Sequence, residues 1–359
     1  TAFTAALDTT EEVNAYAGAA ATQAARDALL KVISTSVGDH AALNTELAKV
    51  DATIAAIVAG GSTNPGQTFT LTENTDTATA NVFNAGMVYT PGGTDRINAL
   101  QDEDTLTGTG TNPTLNATLG NAQDNGATTV TPKLAGVETI NVAFTGSGGL
   151  AVTQLDLQDA TGVDNAINIT RISDGLGAAG ATIDNISSIP VDLSVANSGQ
   201  PTQDITFGFK NSAVSGNADS INVTISDVQA RNLAVQSRLP TAGFGIETIN
   251  LVSSGSANSL VQLRIEDAET LNISGEEDLT LQGTANIVNA GIVEAETYTA
   301  GLGNVAGSLS LVDASGLEGN LVIALGAETV ATKDNTSGQQ VNFVLKGAAG
   351  NDNVVLING

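Results

Sequence analysis

The sequence predicts a mainly β chain, an irregular β-solenoid-like repeat array preceded by a short N-terminal α-helical hairpin. Three observations predict it. A phrase of alternating apolar and polar residues returns along the chain: Val137-Glu138-Thr139-Ile140-Asn141-Val142, Ile246-Glu247-Thr248-Ile249-Asn250-Leu251 and Ala268-Glu269-Thr270-Leu271-Asn272-Ile273, with shorter copies at Ala295-Glu296-Thr297 and Ala327-Glu328-Thr329. Aromatic residues make up only 3% of the chain and Trp is absent, so small and β-branched side chains must fill a thin, regular core. Helical spacing is confined to the first sixty residues.

In residues 1–60, Asp8 or Thr9 caps a first helix, with Glu11 and Glu12 in the turn where carboxylates are favoured. Val13, Ala17, Ala20 and Ala24 follow at helical spacing, then Leu29, Leu30 and Ile33, and Gly38 ends the run. Asp39 caps a second helix, whose stripe Leu43, Leu47, Val50, Ile54 and Ile57 advances by alternating steps of four and three, up to Gly60 and Gly61. The two helices form a hairpin, an anchor or a packing element. Its stripe faces the partner helix, or alternatively a neighbouring subunit or a cell-surface polymer.

Residues 61–129 form a Gly-, Thr- and Asp-rich linking region, with a linker at 61–68, a strand starting at Phe69 and short strands joined by loops. Residues 130–359 form the repeat domain. The glutamates of its C-terminal series, Glu247, Glu269, Glu296 and Glu328, recur at intervals of 22 to 32 residues, the mark of stacked repeats. Between Glu138 and Glu247 lie strand-like runs at 155–160, 191–195 and 221–225. One such strand cannot bury its apolar face alone, whereas stacked coils can. A β-sandwich whose hairpins share a phrase by composition is the competing fold. The repeated Glu-Thr pair is read as a solvent-facing edge with Thr stacked on Thr, because like charges in register repel unless a cation intervenes. The other reading is a row of ion-binding glutamates.

With 12 Lys and Arg against 38 Asp and Glu the net charge is −26, which argues against nucleic acid and against an anionic membrane surface. It favours a divalent cation that relieves self-repulsion. The absence of Cys excludes disulfides, thiolate metal sites and a thiol nucleophile. No stretch is apolar for the length of a bilayer, and no basic region precedes an apolar run at Thr1. A chain already processed or trimmed, or an export route that leaves the N-terminus uncleaved, is therefore expected.

The most explicit chemical motif is Gly347-Ala348-Ala349-Gly350-Asn351-Asp352, followed by Asn353, Val354 and Val355. It resembles the calcium-binding nonapeptide of the RTX family, with Ala348 in place of the second glycine. Glycine turns let carbonyls face an ion, and Asp352 supplies a hard oxygen. A turn without an ion is the plainer reading. Further calcium candidates are Asp95, in Gly92-Gly93-Thr94-Asp95, and Asp102 and Asp104, in Asp102-Glu103-Asp104; a solvated acidic loop is their alternative. Glu276-Glu277-Asp278 is a similar run without a second Gly-Asp turn.

A wider similarity covers residues 67–359. The phrases Gln67-Thr68-Phe69-Thr70-Leu71-Thr72, Asp102-Glu103-Asp104-Thr105-Leu106-Thr107-Gly108 and Asp313-Ala314-Ser315-Gly316-Leu317-Glu318-Gly319-Asn320-Leu321 resemble bacterial S-layer and related calcium-binding repeat proteins secreted by the type I route. The resemblance implies an extracellular lattice or filament on the bacterial surface, order that depends on Ca2+, self-association and contact with cell-surface polysaccharide. A secreted adhesin or a polysaccharide-binding or -degrading solenoid is the alternative. Catalysis is not expected: acidic pairs occur throughout, and the single His40 stands among residues that form no nucleophile motif.

Overall fold

A computed structural model describes residues 67–90, 93, 96–120, 128–149, 151–238, 244–265, 267–282, 292–293, 308–326 and 342–357. The helical hairpin expected at 1–60 lies outside the described residues, as do Asp95 and the copies of the phrase at Glu296 and Glu328. The described chain is a β-solenoid with almost no helix, interrupted by the 3-10 turns Asp174–Ala179 and Asn211–Ala213.

Among the described residues every strand pair but one is parallel and in register with a strand one coil away. A front sheet stacks Thr68–Thr70, Val82–Ala85, Thr114–Leu119, Thr139–Phe144, Ala166–Ile172 and Asp192–Gly199. It continues through the first half of Ser220–Ser237, then Thr248–Ser254, Thr270–Gly275, Leu311–Leu317 and Val344–Lys346. A back sheet stacks Thr129–Val130, Gln154–Asp156, Ala181–Ile186, Asp204–Phe209, the second half of Ser220–Ser237, Asn258–Ile265, Leu279–Leu281, Leu321–Gly326 and Asn353–Ile357. A side sheet joins Thr77–Ala80, Thr105–Gly108, Lys133–Ala135 and Ala160–Thr161. The antiparallel exception is a hairpin, Met87–Tyr89 with Arg96–Asn98, in which the Arg96 guanidinium lies 5.9 Å from the centre of the Tyr89 ring.

Alternation decides which side chains enter the core. In Thr139–Phe144 the residues Ile140, Val142 and Phe144 are fully buried, while Asn141 and Ala143 face outward. Stacking repeats the choice: Phe83, Leu115, Ile140, Ile167, Leu193, Val223 and Leu251 form one continuous column, each fully buried. The back sheet answers with Leu155, Ile183, Phe207, Val235 and Ile265. One core therefore runs along the axis, as the thin aliphatic composition requires. The short strands of the 61–129 region belong to the same array, because Thr114–Leu119 pairs along its whole length with Thr139–Phe144.

Corners fall at left-handed residues. Asn197 (φ 55°), Asp227 (φ 58°) and Gly255 (φ 78°) occupy the same position on successive coils, where the chain leaves the front sheet. Asn and Asp tolerate this region better than other non-glycine residues. Buried polar groups plug the corner beyond: the Asn258 Oδ1 accepts from the Val228 amide at 2.8 Å, and its Nδ2 donates to Ser253 Oγ at 2.8 Å and to the Ser254 carbonyl at 3.0 Å.

A core truncation should cost far more than an outward one. Phe207→Ala is expected to lower the unfolding free energy by about 3–5 kcal/mol, and the outward Thr224→Ala by less than about 1 kcal/mol. Urea titration followed by circular dichroism checks both, and equal losses would contradict the inside–outside assignment.

Candidate ion-binding turns and the repeat edges

The C-terminal turn is built from three stacked Asx residues. Asp278, Asn320 and Asn351 sit one above another at the start of back-sheet strands. The Asn320 amide donates to Asp278 Oδ1 at 2.7 Å, its Nδ2 donates to both Asp278 oxygens at 3.0 and 3.1 Å, and the Asn351 amide donates to Asn320 Oδ1 at 2.7 Å. These bonds hold the Asp278 carboxyl below its ordinary value, through the Asn320 amide first and its side chain second. The coils approach so closely here that a Cβ on Gly350 would lie 2.6 Å from Asn320 Oδ1, and one on Gly319 would lie 2.6 Å from the Asp278 nitrogen. That contact accounts for the glycines independently of any ion.

Asp352, the strongest calcium candidate, accepts the Ala348 amide on Oδ2 at 2.8 Å and the Leu321 amide on Oδ1 at 3.2 Å. It closes the Gly347–Asp352 turn and ties it to the coil before. Asp102 Oδ1 accepts the Thr131 amide of the following coil at 2.8 Å. Asp104 is fully buried and accepts two amides, Asp76 on Oδ1 at 2.7 Å and Gln101 on Oδ2 at 2.8 Å. Burial pushes its pKa up to about 6; the two amide bonds oppose the shift, and the charges of Asp76 and Glu103 add to it.

Asp76 is the residue sequence reading missed. It stands in register with Asp104, is buried, and accepts the Thr72 amide on Oδ2 at 2.7 Å. The signal was present: Asn74-Thr75-Asp76-Thr77-Ala78-Thr79 and Asp102-Glu103-Asp104-Thr105-Leu106-Thr107 match in pattern one coil apart.

The Glu-Thr edge is a column in which Thr248 stacks on Thr270 and Glu247 lies between Asp219 and Glu269. Glu247 Oε2 accepts the Asp219 amide at 2.7 Å, and the Glu269 amide donates to the Glu247 carbonyl at 2.9 Å. Glu247 is raised above its ordinary pKa, by desolvation first and by the charges of Asp219 and Glu269 as well. Asp219 Oδ2 is buried and meets no donor. Both readings of the pair thus have a physical counterpart: threonine does stack on threonine, and acids do stand in register.

Three of the cations bridge coils, Arg231 and Lys346 to the adjacent coil and Arg238 across two. Arg231 pairs with Asp204, with its Nε 2.7 Å from Oδ1; Arg238 meets Asp184 at 3.0 Å and Lys346 meets Asp313 at 2.6 Å. Lys346 and Ser315 hold the Asp313 carboxyl down at about 2. Among the described residues no three metal-ligating side chains converge, so a shell of calcium oxygens would draw on carbonyls or on a second molecule. The donor chemistry fits a hard cation at two places: the Gly347–Asp352 turn, where each carboxylate oxygen keeps a lone pair beyond its amide bond, and the Asp219 edge, where an oxygen has no partner at all.

No family model matches the chain, and no solved structure matches it. The chain is similar to a protein named S-layer protein from Synechocystis sp. (strain ATCC 27184 / PCC 6803 / Kazusa), with 28% identity over 223 residues, which is 59% of this chain and 12% of that protein. The chain thus spans about an eighth of the length of that relative. Among the described residues no helix is long and apolar enough to cross a membrane.

Asp104 sets a sign for pH dependence. Its folded pKa of about 6 lies above the unfolded 3.8, so the folded form takes up a proton first and stability rises as pH falls from about 7 to 4. The gain is roughly 3 kcal/mol for this group. Glu247 works in the same direction, while the loss at Asp313 begins only below its unfolded value. Urea midpoints in metal-free buffer should therefore increase from pH 7 to pH 4.5, and Asp104→Asn should flatten that increase.

Proposed function

We propose that this chain is part of a structural protein of the bacterial cell surface, an extracellular S-layer-type array that self-associates and is ordered by calcium, and that it is not an enzyme. The observation that carries the reading is the unbroken parallel ladder itself. From Thr68 to Ile357 the described strands extend one core along one axis, with outward positions of small Thr, Asn and Ser residues. Such an architecture supplies length and repeated surface. The similarity to a protein bearing the S-layer name supports the same assignment.

Calcium enters as the counter-charge. A net charge of −26 opposes both folding and association, and the acids concentrate at coil edges such as Asp219–Glu247–Glu269. A bound divalent cation would neutralise these edges, and the carbonyl-rich turn at Gly347–Asp352 offers hard oxygen donors of the kind calcium takes. Export by the type I route and contact with a surface polysaccharide are further parts of this proposal, motivated by the resemblance of the Gly-Asp phrases.

Ligand that binds only the ordered state raises stability by about 2.7 kcal/mol at a hundredfold excess over its dissociation constant. Millimolar calcium should therefore raise the melting temperature by several degrees relative to chelator. Asp219→Asn and Asp352→Asn should each shrink the difference. Electron microscopy of the purified protein in calcium should show sheets or filaments that dissolve on chelation. Unchanged melting together with monodisperse particles in both buffers would remove the calcium-ordered lattice from consideration.

A further inference from the structure

We infer that the outward face of the front sheet is a docking face for a second copy of this chain, packed sheet against sheet. The inference rests on the assembling role proposed above and names the surface that performs it.

The first observation is a side-chain ladder that satisfies itself along the axis. Asn116, Asn141 and Asn168 each donate through Nδ2 to the Oδ1 of the asparagine one coil before, at 3.2, 2.8 and 2.8 Å, starting from Asn84. Ser194 closes the run by donating to Asn168 at 2.6 Å. A second run follows two residues earlier in register: Asn222 donates to Asp192 at 3.1 Å, Asn250 to Asn222 at 3.0 Å and Asn272 to Asn250 at 2.8 Å. Polar groups already bonded to their neighbours lose little when water is removed from above them, which is how amide ladders are accommodated in dry sheet-to-sheet contacts.

The second observation is charge. From Val82–Ala85 to Thr270–Gly275 the positions flanking the ladder hold Thr, Ser, Ala and Val, such as Thr118, Ala143, Thr224 and Val252, all half-buried. Within the face the charged side chains are Asp192 and, at the bulged end of its strand, Arg171, opposite in sign; Asp227 stands at the corner on one border and Asp219, Glu247 and Glu269 on the other. An ordinary protein surface is roughly a quarter to a third charged. In a chain of net charge −26 the interior of this face is where two copies can meet with a single carboxylate, Asp192, facing the contact.

The third is size. The rungs concerned span about 34 Å along the axis and about 20 Å along the strands at standard β spacings. That corresponds to about 700 Å2 a side, within the range of stable interfaces. A glycan is the other occupant to weigh. Each ladder amide spends one N–H and its oxygen on neighbouring coils, and no aromatic side chain faces outward here, so a sugar finds scattered single donors and no stacking platform.

The test uses the full chain in calcium buffer. Thr224→Glu with Val252→Glu places two acids on the face outside the ladder; Thr202→Glu, at an exposed turn, is the control. Sedimentation should show the dimer constant weakened at least tenfold in the double variant and unchanged in the control, with circular dichroism melts confirming that each folds. Because the chain has no cysteine, Thr224→Cys gives a unique thiol. Its labelling rate should fall as protein concentration rises. An unchanged dimer constant in the double variant overturns the inference, and so does thiol protection that requires added cell-wall polysaccharide. If sheets persist in the double variant, this face is excluded while the assembling role stands; if the unaltered chain never associates, both fall.

Discussion

The in-register parallel ladder is the constraint on which the rest of this structure depends. Backbone amides of one coil bond to carbonyls of the next, so every residue lies above its counterpart and chemistry is compared like with like. Apolar residues gain from this arrangement: Phe83, Leu115, Ile140 and Ile167 form one buried column. Asparagine gains too, since an amide carries both a donor and an acceptor and each Nδ2 finds the Oδ1 before it. Carboxylates are the residues that like-on-like stacking penalises.

The protein meets that penalty in several ways at its coil edges. Backbone amides bond Asp104, Asp278 and Asp352, acting as fixed partial charges in place of cations; they prevail at Asp278, while at the buried Asp104 desolvation outweighs them. Arginine and lysine from other coils stand beside Asp204, Asp184 and Asp313. At Asp219–Glu247–Glu269 neither device is complete, and the residual cost is visible as an upward pKa shift at Glu247 and an oxygen without a donor. The same amide bonding explains why a Gly-Asp turn reads alike with or without an ion. The glycine is required by the approach of two backbones and the carboxylate by an orphan N–H, so the phrase serves the ladder before it serves a metal.

Much of the fold was legible because one strand type recurs. The phrase Glu-Thr-Ile/Leu-Asn gave the parity of the front sheet directly: Ile or Leu and the residue after Asn point inward and Asn outward at 139–142, 248–251 and 270–273 alike, while Thr is half-buried at 248 and 270 and buried at 139. The linking region was harder. Thr77–Ala80, Val82–Ala85 and Thr105–Gly108 are four-residue strands, Thr-Ala-Thr-Ala, Val-Phe-Asn-Ala and Thr-Leu-Thr-Gly, too short and with too little apolar alternation to separate them from loops. Their β conformation comes from neighbouring coils rather than from local sequence. Asp104 was singled out for its charge, yet its place is an interior one fixed by two amides, and its partner Asp76 lacked a flanking acid to draw attention. Spacing at the level of sequence says which acids repeat, but not which of them turn inward.

The uneven repeat length has a physical reading of its own. Between Ala166–Ile172 and Ser220–Ser237 the asparagine ladder moves by two residues, from the column of Asn168 and Ser194 to that of Asp192 and Asn222. A shift of two preserves the inward–outward alternation, whereas a shift of one would turn the core to solvent. Length differences between coils are therefore absorbed at corners and in the loops between sheets, as between Gln200 and Gln203, where one coil makes a turn and the next runs straight through as the strand Ser220–Ser237. The irregular spacing that weakens a repeat signal in the sequence thus leaves the core continuous.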